Sequence, residues 1–262
     1  AGLSNIDLNN LTDSYINGNK YFSYSPKEQT TYLNDLGYLT LSNNGDITVE
    51  YKVTDSEGVE HIYELDFLDD GNSVFKEPSN PASINATAMT TNAARGLPVI
   101  RECDRKYEII TALVTQNIVF NIKKTTKFQN VRLLFSDLLG SLNGFNFALY
   151  SAKQFSTKKD TFTRDYQDFS NLNTIKFNNQ SRGLTDLATF KTYKLVLNSD
   201  YLTQEESDYF EDLLSSNNAF AQYEGKVIAV NIPSKSVTIK DKIKGLIRYS
   251  LEVEFSISET QW

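Results

Sequence analysis

The stretch from Thr192 to Ser258 constrains the fold more than any other part of the chain. It reads as strand, capped helix and three further strands, with little ambiguity between them. Tyr193-Lys194-Leu195-Val196-Leu197 has the branched and aromatic content that fits a pleated, half-buried surface. Asn198-Ser199-Asp200 interrupts that run. Thr203, with Glu206 three residues on, then forms a capping box, in which each side chain satisfies an orphan N–H at the start of a helix. A helix is predicted over 203–215, with Tyr209, Phe210, Leu213 and Leu214 on one face and Glu205, Asp208, Glu211 and Asp212 on the other. Ser215-Ser216-Asn217-Asn218 ends it, and strands are expected at 226–232, 236–239 and 247–257. The expected class is mainly β: antiparallel sandwich or barrel-like sheets with one short C-terminal α-helix.

The first half is less evenly patterned. Residues 1–35 are polar and read as an N-terminal arm, although Leu3, Ile6, Leu8 and Leu11 could also suit a short helix. Residues 36–76 read as a β-meander. In it, Asn43-Asn44-Gly45-Asp46 and Asp55-Ser56-Glu57-Gly58 are turn signals, and Ile47, Val49, Tyr51 and Val53 alternate. Residues 77–97 are rich in Pro, Asn, Ala and Thr without an apolar period, so a linker or long loop is expected there. A second β region is placed at 98–262, with strands near 107–115, 117–123 and 131–135. Within it a flexible turn is expected at Gly140 to Gly144, and long hairpins or an exposed excursion over 156–186.

Few kinds of chemistry are open to this chain. It has one His, one Cys and one Met in 262 residues. A Ser-His-Asp or Cys-His site would have to use His61, which alternates with Val59, Tyr63 and Leu65 like an ordinary strand residue. A zinc site built from Cys and His cannot be assembled within one chain, and no phosphate-binding Gly-rich loop is present. Cys103 lies between charges of both signs and far in sequence from His61, so a structural or partly exposed thiol is expected. Asp66, Asp70, Gly71 and Glu77 fall at four positions of a calcium loop, but Leu68 occupies a ligand position. Asp69-Asp70-Gly71-Asn72 is more simply a turn. Nothing selects a pair of glycosidase carboxylates. The expected catalytic, cofactor-binding and metal residues are therefore none, and no enzyme is expected.

With net charge −7 and dispersed Lys residues, nucleic acid is not an expected partner. No apolar run approaches the roughly 20 residues of a membrane helix, so membrane insertion is not expected either. Ala1-Gly2-Leu3-Ser4 has neither an initiating Met nor the regions of a signal peptide, which suggests a processed chain or a piece of a longer one.

Two stretches resemble a known group. Leu133-Leu134-Phe135-Ser136-Asp137-Leu138-Leu139-Gly140-Ser141-Leu142-Asn143-Gly144-Phe145-Asn146-Phe147 is similar to a segment in virion and tail proteins of bacteriophages that infect Bacteroidota. In that segment an apolar strand leads through a Gly turn into an aromatic-x-aromatic strand. Leu202-Thr203-Gln204-Glu205-Glu206, the aromatic helix after it and the terminal Tyr249-Ser250-Leu251-Glu252-Val253-Glu254-Phe255 look like the closing module of the same proteins. The likeness covers residues 130–257, and it carries over no catalytic or ligand residue. It implies a non-enzymatic virion subunit of the tail or tail-tip, assembled in the host cytoplasm, whose partners are copies of itself and other virion proteins. The bridging elements expected on this reading are 1–35, 77–96 and 156–186. The rival expectation is a secreted or surface β-sandwich module of a bacterium that binds carbohydrate or protein.

Overall fold

The computed structural model describes residues 25–42, 46–67, 74–91, 99–111, 114, 117–124, 128–136, 141–163, 167–168, 176–177, 183–233, 248–257 and 259–261. Its first strands are β1 (Glu28–Thr31), β2 (Tyr38–Ser42), β3 (Ile47–Thr54), β4 (Glu60–Phe67) and β5 (Val74–Pro78). Helix α1 (Pro81–Thr91) follows, then β6 (Lys106–Thr111), β7 (Ile118–Ile122), β8 (Val131–Ser136), β9 (Leu142–Phe147) and β10 (Ala152–Thr163). The chain continues through β11 (Gln167–Asp168), β12 (Lys176–Phe177), β13 (Leu184–Asn198) and helix α2 (Gln204–Ser215). It closes with β14 (Ala219–Tyr223), β15 (Lys226–Asn231), β16 (Ser250–Phe255) and β17 (Glu259–Gln261). The protein is mainly β, as expected, and α2 is the short helix near the C-terminus.

Two sheets carry the fold. A five-stranded sheet has the order β1-β7-β6-β3-β4. A ten-stranded one runs β10-β13-β16-β15-β14-β8-β9-β2-β5, with β17 beside β13. The pairs are antiparallel except β1 with β7. Alternation decides which face is buried. In β3, Ile47, Val49, Tyr51 and Val53 point into a core shared with Tyr107, Ile109 and Phe120. A second core joins Phe135, Phe147, Leu195, Leu251 and Val253 of the large sheet to Phe210 and Leu213 of α2.

Helix α2 forms for the reasons legible in its sequence. The Thr203 hydroxyl accepts from Glu206 N at 3.2 Å, and the Glu206 carboxylate accepts from Thr203 N at 2.9 Å. Tyr209, Phe210 and Leu213 are buried, and Leu214 packs at the edge of the same core. Thr203→Ala should lower stability by about 1 kcal/mol through loss of the cap, as read from a denaturation midpoint.

The structure corrects the domain division. Residues 77–97 are not a linker, because 81–91 form α1. Pro81 has its φ preset for a first helical turn and lacks an N–H that would be orphaned there. The carbonyl of the preceding Asn80 accepts the first helical bond, from Ile84 N at 2.9 Å. Among the described side chains of this helix, Ile84 and Ala88 enter the apolar core, too few to make an amphipathic period stand out. Asn85 ties the helix to the following chain, exchanging two 2.9 Å bonds with the backbone of Ile100. Nor is this segment a boundary, since β3 before it pairs with β6 after it, and β1 before it with β7 after it.

The meander is also corrected. The hairpin of β3 and β4 is present, with Asp55 Oδ1 accepting from Glu57 N and Val59 N and Gly58 at φ 87°. Strand β2, however, leaves it to pair with β5 and β9 in the other sheet, and Asn43–Gly45 lie outside the described residues. The described part of the supposed arm, 25–35, belongs to the fold: β1 pairs with β7, and Tyr32 and Asp35 are buried. Residues 1–24, the 236–239 strand and the 69–72 turn lie outside the described residues.

Gly144 is not a turn residue. It sits inside β9 opposite Leu134, where a Cβ would lie 2.3 Å from Arg132 Nε. Its missing side chain lets Arg132 cross the strand to Asp35. Gly140 lies outside the described residues. Between β14 and β15, Glu224 and Gly225 have φ of 50° and 72°, a turn geometry that suits Asn-Gly. Glu224→Asn should therefore stabilise the protein by roughly 0.5–1 kcal/mol, measurable as a raised denaturation midpoint.

Candidate interaction surface

β10 and β13 form a long hairpin ribbon, flanked on the β13 side by β16 over 194–198 and by β17 over 189–191. They pair from Ala152 opposite Val196 to Thr163 opposite Leu184, with an irregularity at Asp160/Thr161. β10 is exposed from Lys153 to its end, whereas β13 is half-buried over much of its length, with Ala188 buried. The residues that hold the base of the hairpin are Leu195 and Leu197, buried against Val253 and Leu251 of β16. Large apolar groups are exposed along the hairpin: Phe155 is 64% exposed, Leu187, at the irregularity, 60%, and Leu184, at the far end, 64%.

Register also organises the charges. Phe155 lies opposite Tyr193, and Lys153 opposite Leu195, so Lys153, Phe155 and Tyr193 share the face that continues from the core. Lys153 Nζ lies over the Tyr193 ring at 5.0 Å and over the Tyr223 and Phe255 rings at 5.8 Å. Lys191 Nζ lies over Phe155 at 5.2 Å and over Tyr193 at 4.9 Å. Each such contact is worth about 0.5–1 kcal/mol at an exposed site, so the lysines are held in place on the rings. On the opposite face Lys194 bonds Glu254 at 2.6 Å and Glu252 at 3.1 Å. Those bonds, the one to Glu254 first, raise its pKa above the ordinary lysine value. β11 and β12, between the ends of β10 and β13 in sequence, form a separate two-stranded piece.

The other sequence candidates are not brought together. His61 is a half-buried strand residue with Nε2 3.5 Å from Asp55 Oδ2. Cys103 is exposed, its sulfur 3.6 Å from Asp104 Oδ1. Asp66 accepts the Thr48 hydroxyl at 2.7 Å, and Glu77 is buried near Thr111, whose hydroxyl lies 3.5 Å away. Asp70 and Gly71 are outside the described residues. Among the described residues no three His, Cys, Asp or Glu side chains group as a metal site, and no helix is long and apolar enough to cross a membrane.

A cleft of about 510 Å³ opens where the two sheets meet, lined in part by Asp35, Lys123, Lys124, Arg132, Gln222 and Glu224. Its floor is a structural lock. Asp35 Oδ2 accepts from Arg132 Nη1 at 3.1 Å, Asn146 Nδ2 at 2.8 Å, Tyr32 N at 2.9 Å and Thr31 Oγ1 at 3.2 Å. Arg132 Nε donates to Leu36 O at 2.8 Å, and Gln222 bonds both Leu36 N and Asn34 O. Asp35, Arg132 and Gln222 are thus held by one another and by backbone, while Asn130 Oδ1, also in the lining, is buried without a hydrogen-bond partner among the described residues. Burial, with the Asp35 and Asp200 charges adding to it, pushes the Tyr32 hydroxyl up to about 12, so it stays neutral. Sequence reading did not find this lock, because its members lie far apart along the chain.

Comparison with known proteins finds no matching family model, no matching curated protein and no matching solved structure.

Proposed function

We propose that this chain is a non-enzymatic structural subunit of a bacteriophage virion, in the tail or tail-tip, acting through contacts with copies of itself and with other virion chains. The observation that carries this reading is the β10–β13 hairpin, which exposes Phe155, Leu187 and Leu184 at successive points along its length. Ordering backbone costs roughly 1–2 kcal/mol per residue, and a strand exposed along its length, as β10 is, recovers little of it by burial. A neighbouring chain supplies the missing apolar surface. On this reading the protein resides in the extracellular particle after assembly in the host cytoplasm, with neither nucleic acid nor a membrane as partner.

The rival carbohydrate-binding reading would use an open, flat aromatic platform. On the ribbon the rings carry ammonium groups over them instead. The exposed pair Phe128 and Tyr150 meets edge-on, with an interplanar angle of 79°, rather than as a plane. Quantitative mass spectrometry of purified phage particles tests the proposal. The chain should occur at a fixed multicopy ratio to the other virion proteins. Its absence from particles, together with its secretion by uninfected bacteria, would overturn the reading.

A further inference from the structure

Charge is distributed unevenly over this chain of net charge −7. β10 and β13 carry Lys153, Lys158, Lys159, Lys191 and Lys194 against Asp160 and Asp186, with Glu259 of β17 opposite Lys191 and Glu252 and Glu254 of β16 bonded to Lys194. The outer face of the five-stranded sheet is more acidic. Because Val49, Tyr51 and Val53 point inward, Thr48, Glu50 and Lys52 point out, and the register places their partners from β4 beside them. Glu50 lies directly opposite Glu64, flanked by Asp66 on one side and Ile62 on the other. Glu108 extends the acidic character onto β6, opposite Lys52. Lys52 answers Glu60 at 2.8 Å, but among the described residues no ion pair engages Glu50 or Glu64.

Like charges directly across a strand pair destabilise a sheet, so the Glu50/Glu64 pair is a cost the isolated chain bears. Beside it Ile62 is 61% exposed. A face combining unanswered carboxylates with an exposed aliphatic side chain complements a face combining lysines with an exposed Phe. Both belong to one chain, on different sheets. We infer that, in the assembly proposed above, the Lys153/Phe155/Lys191 face of one copy's ribbon docks on the Glu50/Ile62/Glu64 face of a second copy. Phe155 meets Ile62 there, and the lysines meet the carboxylates. The inference rests on the structural-subunit reading and names how copies join. Such a contact uses two different patches, so it is heterologous and propagates into a closed ring or an open tube. Its ionic part steers encounter and weakens with salt.

Native mass measurement on the full chain and three variants tests it. Lys153→Glu with Lys191→Glu, and separately Glu50→Lys with Glu64→Lys, should each shift the oligomer midpoint to at least tenfold higher concentration. All four substitutions in one chain restore opposite signs across the contact, so oligomers should return near the original midpoint. That return would also show that the substituted chains fold. Oligomers that persist in both reversed variants, or that fail to return in the combined one, would overturn this contact and leave the subunit reading standing. Such a failure would point to other virion chains, or to a soluble anionic polymer, as the ribbon's occupant. A native chain that never oligomerises, alone or in its particle, would overturn both.

Discussion

Gly144→Ala is expected to destabilise the protein by about 3–5 kcal/mol, the range for breaking a buried ion pair. The added methyl would stand 2.3 Å from Arg132 Nε and 2.5 Å from its Cζ. Arg132 cannot yield in place. Its side chain and that of Asp35 are each only 3% exposed, and its Nε is held by Leu36 O. Displacing it leaves Asp35 buried with one fewer donor and frees the segment that joins β1 to β2. Arg132→Ala should cost a similar amount for the same reason. The decisive comparison is the double variant, measured by chemical denaturation. If Gly144 matters because it makes room for Arg132, Gly144→Ala should add little once Arg132 is gone. Additive losses would show that Gly144 acts through its own backbone instead.

Phe210→Ala should cost about 3–5 kcal/mol as well, by a different route. Phe210 is fully buried and stacks on Tyr249 with ring centroids 4.3 Å apart and planes 5° from parallel. Phe145 and Phe147 meet it edge-on at 5.2 and 6.3 Å. Removing the ring opens a cavity where α2, β9 and the entry to β16 converge. Tyr249 remains tethered, its hydroxyl 2.7 Å from Ser207 Oγ and its N–H 2.8 Å from Ser199 Oγ, so the site cannot simply collapse. Phe210→Leu keeps most of the volume and should lose markedly less. Equal losses for Leu and Ala would mean that ring stacking, rather than filled volume, holds the helix to the sheet.

Local order was legible in the sequence where local chemistry decides it. Thr203 and Glu206 cap α2 through their own backbone neighbours, and Asp55 with Gly58 closes the hairpin of β3 and β4 in the same way. The burial of Tyr209, Phe210 and Leu213 followed from their spacing. What could not be read was long-range pairing. Nothing in Tyr38–Ser42 says that it pairs with Val74–Pro78 rather than with the next strand, because a short alternating run fits either edge equally well. Helix α1 escaped because, among its described side chains, Ile84 and Ala88 are the ones that enter the core, although Asn80-Pro81 was a usable start signal. Gly144 read as a turn because its partner Arg132 belongs to another strand. Long hairpins or an exposed excursion were expected over 156–186, and β10 and β13 pair at the described ends of that stretch; the layering of Lys153 and Lys191 on aromatic rings depends on cross-strand register. Of the three expected bridging stretches, the described parts of 1–35 and 77–96 prove to pack largely within their own subunit, through Tyr32, Asp35, Ser83 and Ile84. The ribbon is left as the element with most to gain from a neighbour.

Self-assembly is tested most directly by the native mass of the chain over a wide concentration range and in its source particle, combined with amide exchange across β10 and β13. A structural subunit should form discrete multicopy species, with ribbon amides slowed relative to the dilute chain while those of the buried β8 strand are unchanged. A chain that stays monomeric at every concentration and in the particle, with ribbon exchange unaltered, would contradict it.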